Sequence, residues 1–153
     1  MSNIIRIGNG QGFWGDSVDA PVRLVKDGPI DYLTLDYLAE VTLSIMQRQK
    51  LKNPNSGYAR DFINLVNRIL PEISDKGLKL ITNAGGVNPQ SCRSELIQLA
   101  RYSGKKIKIG VIQGDDIFPA LAELRKCGVS FQNIDTGAEF DSIIDKTYSA
   151  NVY

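Results

Sequence analysis

Four glycines, Gly8, Gly10, Gly12 and Gly15, stand close together in IGNGQGFWGD, with Phe13 and Trp14 between the last two and Asp16 directly behind. Glycine lets a backbone approach a ligand closely, and successive N–H groups in such a loop can cradle a phosphate. The letters Gly10-x-Gly12-x-x-Gly15 also match a dinucleotide fingerprint, with Asp36 about 20 residues further on where a ribose acid would stand. Phe13 and Trp14 are bulky for that role. The same residues equally describe a glycine turn whose aromatics plug the end of a sheet. A second loop, NAGGVNP, follows the same plan: Gly85 and Gly86 free the backbone, and Asn83 and Asn88 offer carboxamides that both donate and accept. With a helix starting at Pro89, the loop is suited to an anion or a carbonyl oxygen, or its asparagines serve the turn itself. In DYLAE, Asp36 and Glu40 lie one helical turn apart and form a candidate acid and base pair; with Asp16 they could hold a divalent cation, and as helix caps they need no catalysis. Asp115 and Asp116 meet the same two readings, and Arg60 is a candidate carboxylate or phosphate partner.

These residues need elements to bring them together. Short apolar runs closed by Gly, Asp or Asn predict strands over 3–8, 31–36, 78–83 and 106–112. Helical spacing predicts helices over 20–28, with Asp19 as N-cap, and over 37–51, 56–70, 90–104 and 116–128, with a further short helix over 71–77. The alternation implies an α/β fold of βα units on a mainly parallel sheet, Rossmann-like and three-layered, or else part of a (β/α) barrel. Either way the glycine loop, DYLAE, NAGGVN and QGDD follow the carboxyl ends of strands, where such folds gather their ligands.

Composition narrows the chemistry. At 153 residues, 42% hydrophobic, the chain has the size of a single α/β domain. Its net charge of +1 is spread among mixed signs, so neither nucleic acid nor a membrane surface is an expected partner. No signal peptide or membrane span is legible, and the two cysteines, Cys92 and Cys127, lack metal or disulfide spacing, so the sequence reads as cytoplasmic. The absence of histidine removes the usual hydrolase dyads and most zinc sites, leaves Cys92 without an activating base, and leaves no metal expected.

GNGQGFWGD, DYLTLDYLAEVTLSIM, GYARDF and ITNAGGVNP, in this order, resemble the amino-terminal domain of the acyclic terpene utilisation (AtuA-like) family, over nearly the whole chain. FQNIDTGAEFD agrees less and reads as a variable loop. The resemblance implies a place in the breakdown of acyclic terpenes and related branched acids, handled as coenzyme A thioesters, within an architecture that continues past Tyr153. Under that reading Gly8 to Asp16 and Asn83 to Asn88 bind an acyl-CoA or another phosphate-bearing ligand, Phe13 and Trp14 touch its apolar chain, and Asp36 or Glu40 moves a proton. The alternative is a non-catalytic docking module. A sheet cut short would also expose an edge or an apolar face, so a homo-oligomer, or pairing with the remainder of the longer architecture, is expected.

Overall fold

The computed structural model describes residues 4–152, which gather into two compact units, one ending at Val111 and the other starting at Ile112. The first unit carries β1 (Ile7–Gln11), α1 (Asp19–Asp27), β2 (Tyr32–Leu35), α2 (Glu40–Lys52), α3 (Arg60–Asp75), β3 (Lys79–Thr82) and α4 (Pro89–Tyr102). Its strands form one parallel sheet in the order β1-β2-β3. The α/β class with alternating βα units is therefore what the sequence alternation implies. The second unit holds α5 (Leu121–Lys126) and short 3₁₀ turns, joined by bridges between Asp116 and Asn151 and between Gln132 and Glu139.

Register sorts the side chains onto two faces. Gly8, Leu33 and Leu80 form one cross-strand row and Gln11, Leu35 and Thr82 another, turned to the core, where Leu33 is 0% and Leu35 3% exposed. Each such buried leucine contributes about 1.5–3 kcal/mol relative to an exposed one. α1 packs on α3 and α3 on α4, so these helices make one layer, with Phe62, Leu65, Val66, Ile69 and Leu70 of α3 buried in it. The alternate rows, Ile7 with Tyr32 and Lys79, and Asn9 with Thr34 and Ile81, occupy the opposite face. There Ile7 is 67% and Ile81 58% exposed. With strands added in one direction, right-handed crossovers put successive helices on the same side, so among the described residues the second face receives none of the first unit's helices.

Several boundaries differ from the sequence expectation for physical reasons. The first strand, expected over 3–8, runs from Ile7 through Gly8 and Gly10; Asn3, where it was expected to start, lies outside the described residues. A Cβ on Gly8 would fall 2.8 Å from Leu24 Cδ2, and one on Gly10 2.7 Å from Pro21 Cβ. Those glycines let α1 sit close on the sheet, so they belong to the strand and not to a turn. No strand forms over 106–112 among the described residues. Its alternation survives in Ile107 and Ile109, which pack on the core of the first unit, but the free edge of β3 does not pair with it. The expected helices over 56–70 and 71–77 are one, because Pro71 falls on the exposed side of α3, where the carbonyl it leaves unpaired meets water. Asp19 does not cap α1: Val18 holds that position, and the Asp19 carboxylate pairs with Arg68 at 2.6 Å. The second helix starts at Glu40, three residues later than expected, with Ala39 as N-cap.

Candidate functional site

The carboxyl ends of the three strands are tied together by main-chain and carboxamide bonds. Asp36 N–H donates to Gln11 O at 3.1 Å, joining the ends of β1 and β2. Asn83, just past β3, accepts from Tyr37 N–H and donates through Nδ2 to Asp36 Oδ1, both at 2.8 Å. The same Asp36 Oδ1 also accepts from Leu38 N–H at 3.1 Å. Asp36 is thus held at the rim by neighbours on both sides. Beside it, a groove of about 500 Å³ is lined by Asn9, Thr34, Leu35, Asp36, Ile81, Thr82 and Asn83. It opens on the sheet face turned away from the helices of the first unit. Turned so that its donors meet acceptors, the Asn9 amide nitrogen lies 3.0 Å from Gln11 O and 3.2 Å from Thr34 O.

The glycine loop makes a different set of contacts. Asp16 reaches back into it: Oδ2 accepts from Gly12 N–H at 3.1 Å and Oδ1 from Ser17 N–H at 2.7 Å. The loop therefore carries its own anion, placed where a phosphate would compete with a carboxylate. Helix α1 begins only at Asp19, so no helix N-terminus stands behind the glycines as a dinucleotide site requires. Trp14 is half-buried against the core, and its indole N–H donates to Asp61 Oδ1 at 3.0 Å, whereas Phe13 is exposed. Gly15 takes φ +102 at the bend before Asp16.

The second loop is packed inward. Gly86 has φ +51, and a Cβ there would lie 2.3 Å from Met46 Sδ and 2.8 Å from Gly57 O. A Cβ on Gly85 would lie 2.8 Å from Pro89 Cβ. Asn88 caps α4 by accepting from Ser91 N–H and donates to the carbonyls of Pro54 and Ser56, each at 2.8 Å. These residues fasten the loop to the segment before α3; of the group, Asn83 alone reaches the groove. Glu40 opens α2 in an exposed position, and no hydrogen bond joins it to Asp36 among the described residues. Nor do Asp16, Asp36 and Glu40 assemble: among the described residues no three His, Cys, Asp or Glu side chains are placed to hold a metal ion. Asp116 accepts from Phe118 N–H, a capping bond, and Asp115 from Asn151 Nδ2. Arg60 donates to Ser56 Oγ.

Sequence reasoning missed Asn9, Thr34 and Ile81. Their signal was present in the alternation of DYLTLD and LKLITN, where the residues between buried leucines must face the other way. It also missed Tyr37, which is 0% exposed. Burial pushes its phenol above the ordinary range, and nearby Asp61 pushes it further, while Gln11 beside it draws it down. Neither Tyr37 Oη nor Gln11 Oε1 has a hydrogen-bond partner among the described residues. Burial, with Glu95 adding to it, raises the Cys92 thiol to about 12, which makes it inert as a nucleophile at neutral pH. No helix among the described residues is long and apolar enough to cross a membrane.

Comparison with known proteins gives one result. The family model described as acyclic terpene utilisation family protein AtuA matches residues 5–153. No curated protein and no solved structure matches the chain.

Proposed function

The chain belongs to the acyclic terpene utilisation family AtuA, and from that premise we propose that it binds a branched acyl group of acyclic terpene breakdown, as its coenzyme A thioester, in the groove at the carboxyl ends of the strands. The family links the chain to acyclic terpene utilisation; the ligand and its place are our reading. One observation carries it: a groove of about 500 Å³ on the uncovered face, where Ile81 is the exposed apolar side chain and Asp36, Asn83, Asn9 and Thr34 are the polar ones. Binding sites for small molecules have a volume of this order. In this scheme the branched chain lies along Ile81 toward Ile7, and the thioester end meets Asn83 and Asp36. Asp36 Oδ1 is taken by two donors, which leaves Oδ2 as the oxygen that accepts a proton from a bound acyl group. The glycine loop supports the rim through Gln11 and plays no phosphate-holding part. Two unpaired thiols suit a cytosolic setting for this work.

Calorimetry with geranyl-CoA, isovaleryl-CoA and coenzyme A alone tests the reading. Heat from the acylated forms, growing with chain length and reduced by Ile81→Asp, supports it. Equal heat from coenzyme A alone, or none from any of the three, counts against it.

A further inference from the structure

The sheet presents an apolar face that its own helices leave open. Ile7 and Ile81 are 67% and 58% exposed, and Tyr32 and Thr34 lie between them by register. Parallel sheets are found with both faces covered, and sheets that stack do so about 10 Å apart through their side chains. The charges on this face are arranged along the strands. Lys79, at the amino end of β3, lies over the Tyr32 ring at 4.8 Å from its centroid and donates to the Tyr32 hydroxyl. Asp36 stands at the opposite, carboxyl end of β2, on the rim of the groove. On this face Lys79 is thus the positive side chain at the amino end and Asp36 the negative one at the carboxyl end; Asp31, which also stands at the amino end before β2, accepts from the Arg6 N–H.

We infer that this face binds the same face of a second copy of the chain, stacked about a two-fold axis perpendicular to the strands. That axis sets the amino end of each sheet over the carboxyl end of the other, and symmetry repeats the meeting of Lys79 with Asp36 twice. An axis along the strands would set amino end on amino end and bring like charges together, so the charge pattern selects the first arrangement. Ile7 and Ile81 are then covered by apolar side chains of the copy. Asn9 and Thr34 are short, which leaves the groove as a space between the two sheets, and each copy supplies a roof to the other's groove. The roofing rests on the reading of the groove given above; the pairing of faces does not.

Sedimentation of the full chain tests it. A dimer is expected that weakens as salt rises. Lys79→Glu and Asp36→Lys should each weaken it roughly tenfold or more by placing like charges opposite one another, with the loss screened by salt. Mixed in equal amounts, the two variants should form a heterodimer of wild-type strength, because both of its charge contacts are then attractive. If Asp36→Lys fails to fold, exposed Lys79→Glu alone decides, since its dimer must strengthen with salt while the wild-type dimer weakens. A monomer at concentrations on the order of 100 μM, a mixture no stronger than its components, or a dimer indifferent to Ile81→Asp would overturn the inference. A monomer that binds acyl-CoA would overturn the pairing alone, and a dimer that binds none would overturn the ligand alone.

Discussion

Replacing Gly86 and Gly12 by alanine separates the two glycine loops. At Gly86 the backbone sits at φ +51, a left-handed conformation that costs an alanine about 1–2 kcal/mol. The added Cβ would also stand 2.3 Å from Met46 Sδ and 2.8 Å from Gly57 O. Neither neighbour can withdraw freely: Met46 is 0% exposed, and Gly57 O accepts from Val87 N–H at 3.0 Å. Crowding a packed interior in this way costs roughly 1–3 kcal/mol, so Gly86→Ala should lose about 2–5 kcal/mol. At Gly12 nothing lies within 4 Å of the added Cβ, and the backbone is not left-handed. Gly12→Ala should be neutral or gain up to ~1 kcal/mol through the unfolded chain. Urea denaturation followed by the fluorescence of Trp14, the single tryptophan, measures both. Removing Met46 Sδ should relieve part of the clash, so Met46→Ala should cost less in the Gly86→Ala background than alone. Equal stability of the two glycine variants, or a larger loss at Gly12, would refute the assignment of NAGGVNP to packing and of Gly12 to an open loop.

Three further outcomes follow from particular contacts. Asn83→Ala removes two hydrogen bonds at 2.8 Å and strands the Tyr37 N–H, so it should cost about 2–3 kcal/mol in the same assay, and a loss below ~0.5 kcal/mol would mean the strand ends are not tied there. Because burial raises folded Cys92 to about 12 while an unfolded thiol titrates near ~8.5, the folded chain holds the extra proton between those values; stability should therefore fall as pH rises through that window, and Cys92→Ala should flatten the fall, above all below the ~10 at which tyrosine joins in. Glu72 Oε2 is buried with no partner among the described residues, so Glu72→Met should be neutral or stabilising by about 1–3 kcal/mol, and a clear loss would show that the carboxylate finds a donor in solution.

The fold was legible wherever periodicity and punctuation agreed. DYLTLD and LKLITN fixed two strands, and the apolar stripe of Phe62, Val66, Ile69 and Leu70 fixed the central helix. Legibility failed where one residue type serves two purposes. Gly8 and Gly10 have the appearance of loop punctuation, yet they lie in a strand because a helix leans on them, and only the partner element reveals that. The run 106–112 has the pattern of a strand without a ladder to join, since pattern reports a face and pairing needs a neighbour. For the site, the sequence named Asp36 and Asn83, whose positions after strands place them at the rim. It could not show that Asp16 fills the glycine loop, or that helices gather on one side and leave Asn9, Thr34 and Ile81 facing outward. Both depend on how the chain crosses from strand to strand.

The central claim is that the ligand lies at the strand ends against the uncovered face. The most direct test is titration of the isotope-labelled chain with isovaleryl-CoA, following backbone amide shifts residue by residue. Saturable shifts confined to Asn9, Thr34, Asp36, Ile81, Asn83 and their neighbours are the expected result. Shifts centred on Gly12 to Ser17, or on residues after Ile112, with those five unmoved, would contradict it.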